Sequence, residues 1–242
     1  MDKTGFESAE IVEKYTTSIL PRKLIGFPAL MNLIGSPSGR KFIDIGCGAG
    51  EICGALHIAG ASVYGIDTSD EFLKKAKEQY AHISFDKIDA CNMSSIQSSS
   101  FDGATMFMVT FSITNRESLG GLFAETARVL KSGGNLFYGT IHPLMIDNLQ
   151  SPIVRVNLPE GKGYLNSEIT ITSEVMLADG NWIKFIDHHW KLEDVVSEMV
   201  AHGLAITGIS EPGLKSDKAQ DPKLECLARR PFYLLLKATK LV

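Results

Sequence analysis

The sequence predicts an α/β protein built on one mostly parallel sheet, and three observations carry that prediction. Short apolar strands alternate with amphipathic helices between Lys41 and Ile141. The first strand runs directly into a glycine cluster, Gly46-Cys47-Gly48-Ala49-Gly50. The chain of 242 residues suits one such domain and is short for two. The expected organisation is a single domain over 1–242. Within it lie an N-terminal helical segment over 1–39 and an antiparallel, β-rich cap insertion over 143–188.

The elements follow in order. Residues 7–19 predict a helix, and Pro28 opens a second short one that closes in the loop Gly35 to Gly39. Lys41 to Ile45 is the first strand, Ile52 to Ala59 a helix stopped by Gly60, and Ser62 to Ile66 the second strand. Ser69 is placed to cap a helix from Asp70 to Tyr80. Ile83 to Ile88 and the largely apolar Phe101 to Val109 are the third and fourth strands. Leu119, Leu122, Phe123, Thr126 and Leu130 share a helical stripe that Gly133-Gly134 is expected to end, before a fifth strand from Asn135 to Ile141. Residues 150–188 hold short β segments, including Ile169 to Leu177 and Trp182 to Ile186, with Asp179-Gly180 as a hairpin turn. A helix through Leu192, Val195, Val196 and Met199 follows, stopped by Gly203. Strands over Ala205 to Ser210 and Phe232 to Ala238 close the chain, separated by a long polar loop over 212–230.

Composition narrows the function classes. At 44% hydrophobic and 21% charged residues the chain is an ordinary globular one. Its net charge of −4 gives no general basic surface for nucleic acid. No apolar run reaches the roughly 20 residues of a membrane span. The polar start, Met1-Asp2-Lys3-Thr4-Gly5, lacks the apolar core of a signal peptide. Cys47, Cys53, Cys91 and Cys226 form no C-x-x-C pair, so no metal site is expected and the setting is expected to be reducing and cytoplasmic.

The glycine cluster points to a ligand. Glycine admits positive φ and lets a ligand approach the backbone, and the cluster stands at the carboxyl end of a parallel strand, where open α/β sheets bind ligands. The dinucleotide pattern G-x-G-x-x-G fails, because Glu51 stands where the third glycine belongs and brings negative charge to a helix start. A Walker loop fails for want of its lysine. Carboxylates remain at three successive strand ends. Asp44 can face a cationic amino group, Asp67 can accept from two ribose hydroxyls, and Asp89 with Ala90 suits an adenine edge. That pattern fits a cationic nucleoside better than a polyphosphate.

Asp44-Ile45-Gly46-Cys47-Gly48-Ala49-Gly50, Gly65-Ile66-Asp67-Thr68-Ser69 and Asp89-Ala90, in that order, resemble the successive motifs of class I S-adenosylmethionine-dependent methyltransferases. So do Phe101-Asp102 and the run from Arg128 to Gly134. Ile11-Val12-Glu13-Lys14-Tyr15 resembles the N-terminal helix of the small-molecule branch. The resemblance covers 9–142 well and the closing strands loosely. It implies a Rossmann-like three-layer sandwich with a seven-stranded, mostly parallel sheet, and S-adenosylmethionine as cofactor with S-adenosylhomocysteine as product. It also implies residue roles. Gly46, Cys47, Gly48 and Gly50 line the methionine moiety and Asp67 holds the ribose. Thr68 and Phe72 flank the adenine, whose edge meets Asp89, Ala90 and Cys91. Phe107 and Met108 lie near the sulfonium, and Tyr15 lies over the cofactor. Thr110-Phe111-Ser112 departs from the Leu-His-Tyr that relatives often carry, which weakens the carry-over on the acceptor side.

His142, after the fifth strand, is read as a general base or acceptor contact, or else as a shaper of the turn at Pro143. Of the neighbours His188 and His189, only one can face the pocket, because adjacent strand residues point to opposite faces; His189 is the candidate. The expected activity is methyl transfer to N or O of a small-molecule acceptor, of the kind found in specialised metabolism, by a monomer or homodimer that engages neither nucleic acid nor membrane. The alternatives are a nucleic-acid or protein methyltransferase and a non-catalytic S-adenosylmethionine-binding protein.

Overall fold

A computed structural model describes residues 9–18, 21–146, 150–177, 179–214 and 225–242. The ends of the helix expected over 7–19, parts of the expected cap and the middle of the 212–230 loop lie outside the described residues.

Seven strands form the main sheet: β1 (Lys41–Ile45), β2 (Ser62–Asp67), β3 (Ser84–Lys87), β4 (Phe101–Phe107), β5 (Leu130–Ile141), β9 (Leu204–Ser210) and β10 (Tyr233–Lys240). Their order is β3-β2-β1-β4-β5-β10-β9. The first five run parallel, and β10 is antiparallel to both neighbours. The strand order reverses between β1 and β4, and a crevice opens there at the carboxyl ends. The Rossmann-like sandwich expected from the sequence is therefore present.

The two faces follow from strand alternation. Ile43, Ile45, Leu136, Tyr138, Leu234 and Leu236 project to one side, where they pack with Leu119, Leu122 and Phe123 of α5 (Arg116–Val129) and Met199 of α6 (Leu192–Ala201). Phe42, Phe137, Tyr233 and Leu235 project to the other, against Leu30 and Ile34 of α2 (Phe27–Ile34) and Leu56 of α3 (Glu51–Ile58). The cap at Ser69 stands where the sequence puts it, and the structure adds one at Asn115. The Ser69 hydroxyl accepts from Phe72 N at the start of α4 (Asp70–Gln79), and the Asn115 side chain does the same for Ser118 N in α5.

Two expectations need correction. Gly133-Gly134 does not end α5. The helix stops at Val129, and Leu130 is already extended, fully buried and paired with Phe101. Leu130 is more useful as a core strand residue than as a last helical turn, and Gly133, at φ 74°, shapes the bend that follows. The 212–230 stretch is not all loop, since α7 (Glu225–Arg229) lies in it and buries Leu227 beside Leu214.

A second, three-stranded antiparallel sheet is made of β6 (Val154–Asn157), β7 (Ile169–Met176) and β8 (Trp182–His189). Val154, Val156 and Ile171 of this sheet share one apolar cluster with Phe107, Phe111 and Phe232. The small sheet thus sits over the carboxyl ends of β4, β5 and the start of β10. The helix α1 (Ala9–Ser18) closes the remaining side, Val12 packing with Phe72 and Ala49. None of the described helices is long and apolar enough to cross a membrane.

Candidate cofactor and acceptor site

The loop after β1 needs its glycines. Gly46, Gly48 and Gly50 have φ of 69°, 53° and 81°, a region L side chains enter at about 1–2 kcal/mol. At Gly46 space is short as well, because a Cβ would come within 2.5 Å of Val109 Cγ2. The turn is pinned by Cys47 N donating to Ile66 O (2.9 Å) and Gly50 N donating to Cys47 O (3.0 Å).

Asp67, at the tip of β2, is fastened to this loop. One carboxylate oxygen accepts from Gly48 N (2.8 Å), the other from Ser69 N (2.9 Å). A carboxylate has about four acceptor positions, so these bonds leave room for a ligand's donors. Burial pushes its pKa up, and the backbone donors of Ser69, Gly48 and Thr68 oppose that. At the tip of β3's continuation, Asp89 accepts from Cys91 N (2.8 Å) in an Asx turn.

These groups border a cavity of about 400 Å³, within the range usual for small-ligand sites. Gly46, Cys47 and Gly48 form its floor, with Asp67, Thr68 and Phe72 on one wall. Asp89, Ala90 and Cys91 stand further along, and Phe107 and Met108 close the β4 side. Met108 is held at φ 66° while its N–H donates to Gly139 O (2.8 Å). Strain of this kind in a non-glycine residue tends to mark a functional turn. Tyr15 covers the mouth, edge-on to Phe72 (5.8 Å) and Phe185 (5.6 Å), and burial raises its pKa.

The structure places several expected residues elsewhere. Asp44 does not line the cavity. It lies beneath the loop, accepting from Thr105 Oγ1 (2.7 Å) and Cys53 Sγ (3.2 Å), and burial raises its pKa to about 7. Gly50 also lies behind the surface, at the entry to α3, where a Cβ would meet Phe85 and Tyr80. His142 borders neither this cavity nor its neighbour. Its Nδ1 accepts from Leu144 N (3.1 Å), so Nε2 carries the hydrogen and donates to Glu211 (2.8 Å). Of its two readings, the turn-shaping one describes its contacts. His189 is buried, donates through Nε2 to Tyr164 O (2.7 Å), and borders a separate void of about 20 Å³.

A smaller chamber of about 80 Å³ lies under the three-stranded sheet and shares Tyr15, Arg22, Met108 and Ser112 with the larger cavity. Its walls are mostly apolar, with Phe185, Val175 and Val154 from the small sheet and Phe111, Phe232 and Tyr233 from below. Two charged residues in it escaped the sequence reading. Arg22 stacks on Tyr15 (4.4 Å) and pairs with Glu51 (3.2 Å), while its buried Nε has no hydrogen-bond partner among the described residues. No local pattern marks Arg22. Asp187 did leave a signal. Ile183 and Phe185 alternate inward along β8, and an acid two positions further on occupies the same inward face.

The methyltransferase-domain family matches residues 42–134. Among curated relatives, the ubiquinone biosynthesis O-methyltransferase of Methylococcus capsulatus is 32% identical over 111 residues, which are 44% of this chain and 46% of that one. The chain thus spans about half the length of such relatives. An S-adenosylmethionine-dependent methyltransferase from Mesorhizobium loti shares the fold at a TM-score of 0.68 and 23% identity, covering 88% of this chain and 96% of that one. The CcbJ methyltransferase from Streptomyces caelestis does so at 0.69 and 11%, covering 99% and 98%. The fold of this chain is therefore the one found in solved S-adenosylmethionine-dependent methyltransferases. The family match covers residues 42–134, the stretch that holds the glycine loop, Asp67 and Asp89.

Proposed function

We propose that this chain transfers a methyl group from S-adenosylmethionine to a nitrogen or oxygen of a small-molecule acceptor held beneath the three-stranded sheet. One observation carries the reading: the chamber and the larger cavity share Met108 and Tyr15 in their walls, so that a nucleophile and a methyl donor would meet there.

The residues fit the cofactor. The free acceptor positions of Asp67 suit the two ribose hydroxyls, and the glycine floor admits a close amino-acid tail. The orphaned Nε of Arg22 suits that tail's carboxylate. Asp89, Ala90 and Cys91 suit an adenine edge, with Thr68 and Phe72 beside its faces. Asp44 acts one layer deeper, through Thr105 and Cys53. When bound, S-adenosylmethionine supplies a methyl group already activated by the sulfonium charge. The protein's own task is to orient the acceptor and exclude water. Tyr15, Phe107 and Met108 do so at the junction, and the cap over 143–188 does so above it. The half-closed chamber and the net charge of −4 favour a small acceptor over nucleic acid or protein. The free thiols of Cys47, Cys53 and Cys91 support a cytoplasmic setting.

The test is a radiolabelled methyl-transfer assay with a panel of small amines, phenols and hydroxy acids. Label should pass to at least one of them with release of S-adenosylhomocysteine. Transfer only to RNA or protein, or tight cofactor binding with no transfer to any acceptor, would replace this reading with one of the alternatives above.

A further inference from the structure

We propose that Asp187 is the specificity-determining anchor of the acceptor and that the acceptor is a protonated amine on an apolar body. The inference rests on the methyltransferase reading just given and deepens it.

Asp187 stands on β8, lining the chamber with part of its surface still accessible. Among the described residues its one hydrogen-bond partner is the Ser173 hydroxyl of β7, and no described cation pairs with it. A carboxylate enclosed by protein costs several kcal/mol unless something compensates it. Here burial raises its pKa to about 6, with Ser173 opposing. The groups facing it do not supply the missing charge. From α1 comes Tyr15, whose own pKa rises through burial and, in smaller part, through the Asp187 charge. From the π-helical segment Arg22–Gly26 before α2 comes Arg22, already paired with Glu51. From β10 comes Tyr233, a buried phenol raised by burial, and from β6 only the apolar Val154.

The chamber therefore combines one uncompensated acid with aromatic walls from Tyr15, Phe111, Phe185, Phe232 and Tyr233. Both features attract the same ligand chemistry. The carboxylate gives an ammonium a charge-assisted hydrogen bond, and aromatic faces attract a desolvated cation. A neutral alcohol gains less from either, and an anionic acceptor would be repelled.

Benzylamine and phenethylamine, with benzyl alcohol as the neutral counterpart, are titrated by calorimetry into protein saturated with S-adenosylhomocysteine. At least one amine should bind at least about tenfold tighter than the alcohol. Its affinity should hold from pH 8 to about 6 and then fall by about tenfold per pH unit as Asp187 takes up a proton. Asp187→Asn should abolish the preference and the pH dependence while leaving S-adenosylhomocysteine affinity unchanged, which also shows that the variant folds. The anchor is refuted if the alcohol binds as well as the amines, if no amine binds, or if Asp187→Asn keeps the preference. Failure of S-adenosylhomocysteine to bind the parent protein would instead refute the methyltransferase reading.

Discussion

The two halves of the site are built on different principles. The cofactor side is made of backbone: glycine φ angles, strand-end turns, and a carboxylate held by two main-chain N–H groups. The acceptor side is made of side chains from a separate small sheet, with one acid and five aromatic rings around a cavity a fifth the size. Backbone geometry constrains sequence tightly, because few residues tolerate it. A side-chain chamber can be relined without altering the fold. The difference explains why a cofactor can be named for this chain while its acceptor has to be argued from one carboxylate.

Substitutions should separate the halves. The largest effect is expected at Gly46→Ala. A left-handed L residue costs about 1–2 kcal/mol, and relieving the contact with Val109 adds about 1–3 more. Affinity for S-adenosylhomocysteine by calorimetry should drop by about a hundredfold or more. Unchanged binding would mean that the loop does not meet the cofactor. On the other side, Asp187→Asn should spare the cofactor and remove amine preference, as set out above.

Asp44→Asn should act on stability. The folded pKa of Asp44, about 7, exceeds its ordinary 3.8. The stability due to its protonated form is fully present below 3.8 and is lost as pH rises through about 7. The Asn variant, which cannot ionise, should therefore gain more in Tm relative to the parent at pH 8 than at pH 5. Equal differences at the two pH values would remove the buried-acid account. The smallest effects are expected at the histidines. His142→Ala loses two structural hydrogen bonds and His189→Ala one, each worth about 1 kcal/mol. Turnover on any acceptor found should stay within about threefold. A hundredfold loss with a matching pH limb would restore a catalytic histidine.

These outcomes also mark what could be read in advance. Strand alternation and glycine punctuation mark the strands of the sheet, the helix that Ser69 caps and the floor of the cavity, because each depends on local geometry. The end of α5 was misread at Gly133-Gly134 because burial of Leu130 in the core outweighs local stop signals. Asp44 and His142 were placed one layer too near the ligand, since sequence position gives the strand end but not the partner that a side chain finds. Arg22 reaches the site from the first position of a short π-helical segment, Arg22–Gly26, that no pattern predicts. Asp187 was legible in principle, as an acid on the inward face of an amphipathic strand.

The central claim is that the glycine loop and Asp67 together hold the methyl donor. Calorimetric titration of S-adenosylhomocysteine into the parent protein and into Asp67→Ala tests it most directly. Saturable binding is predicted for the parent. The variant should lose about a hundredfold or more, the equivalent of two hydrogen bonds to a charged group at about 1.5 kcal/mol or more each. Equal affinity for both proteins, or no binding by the parent, would contradict the account.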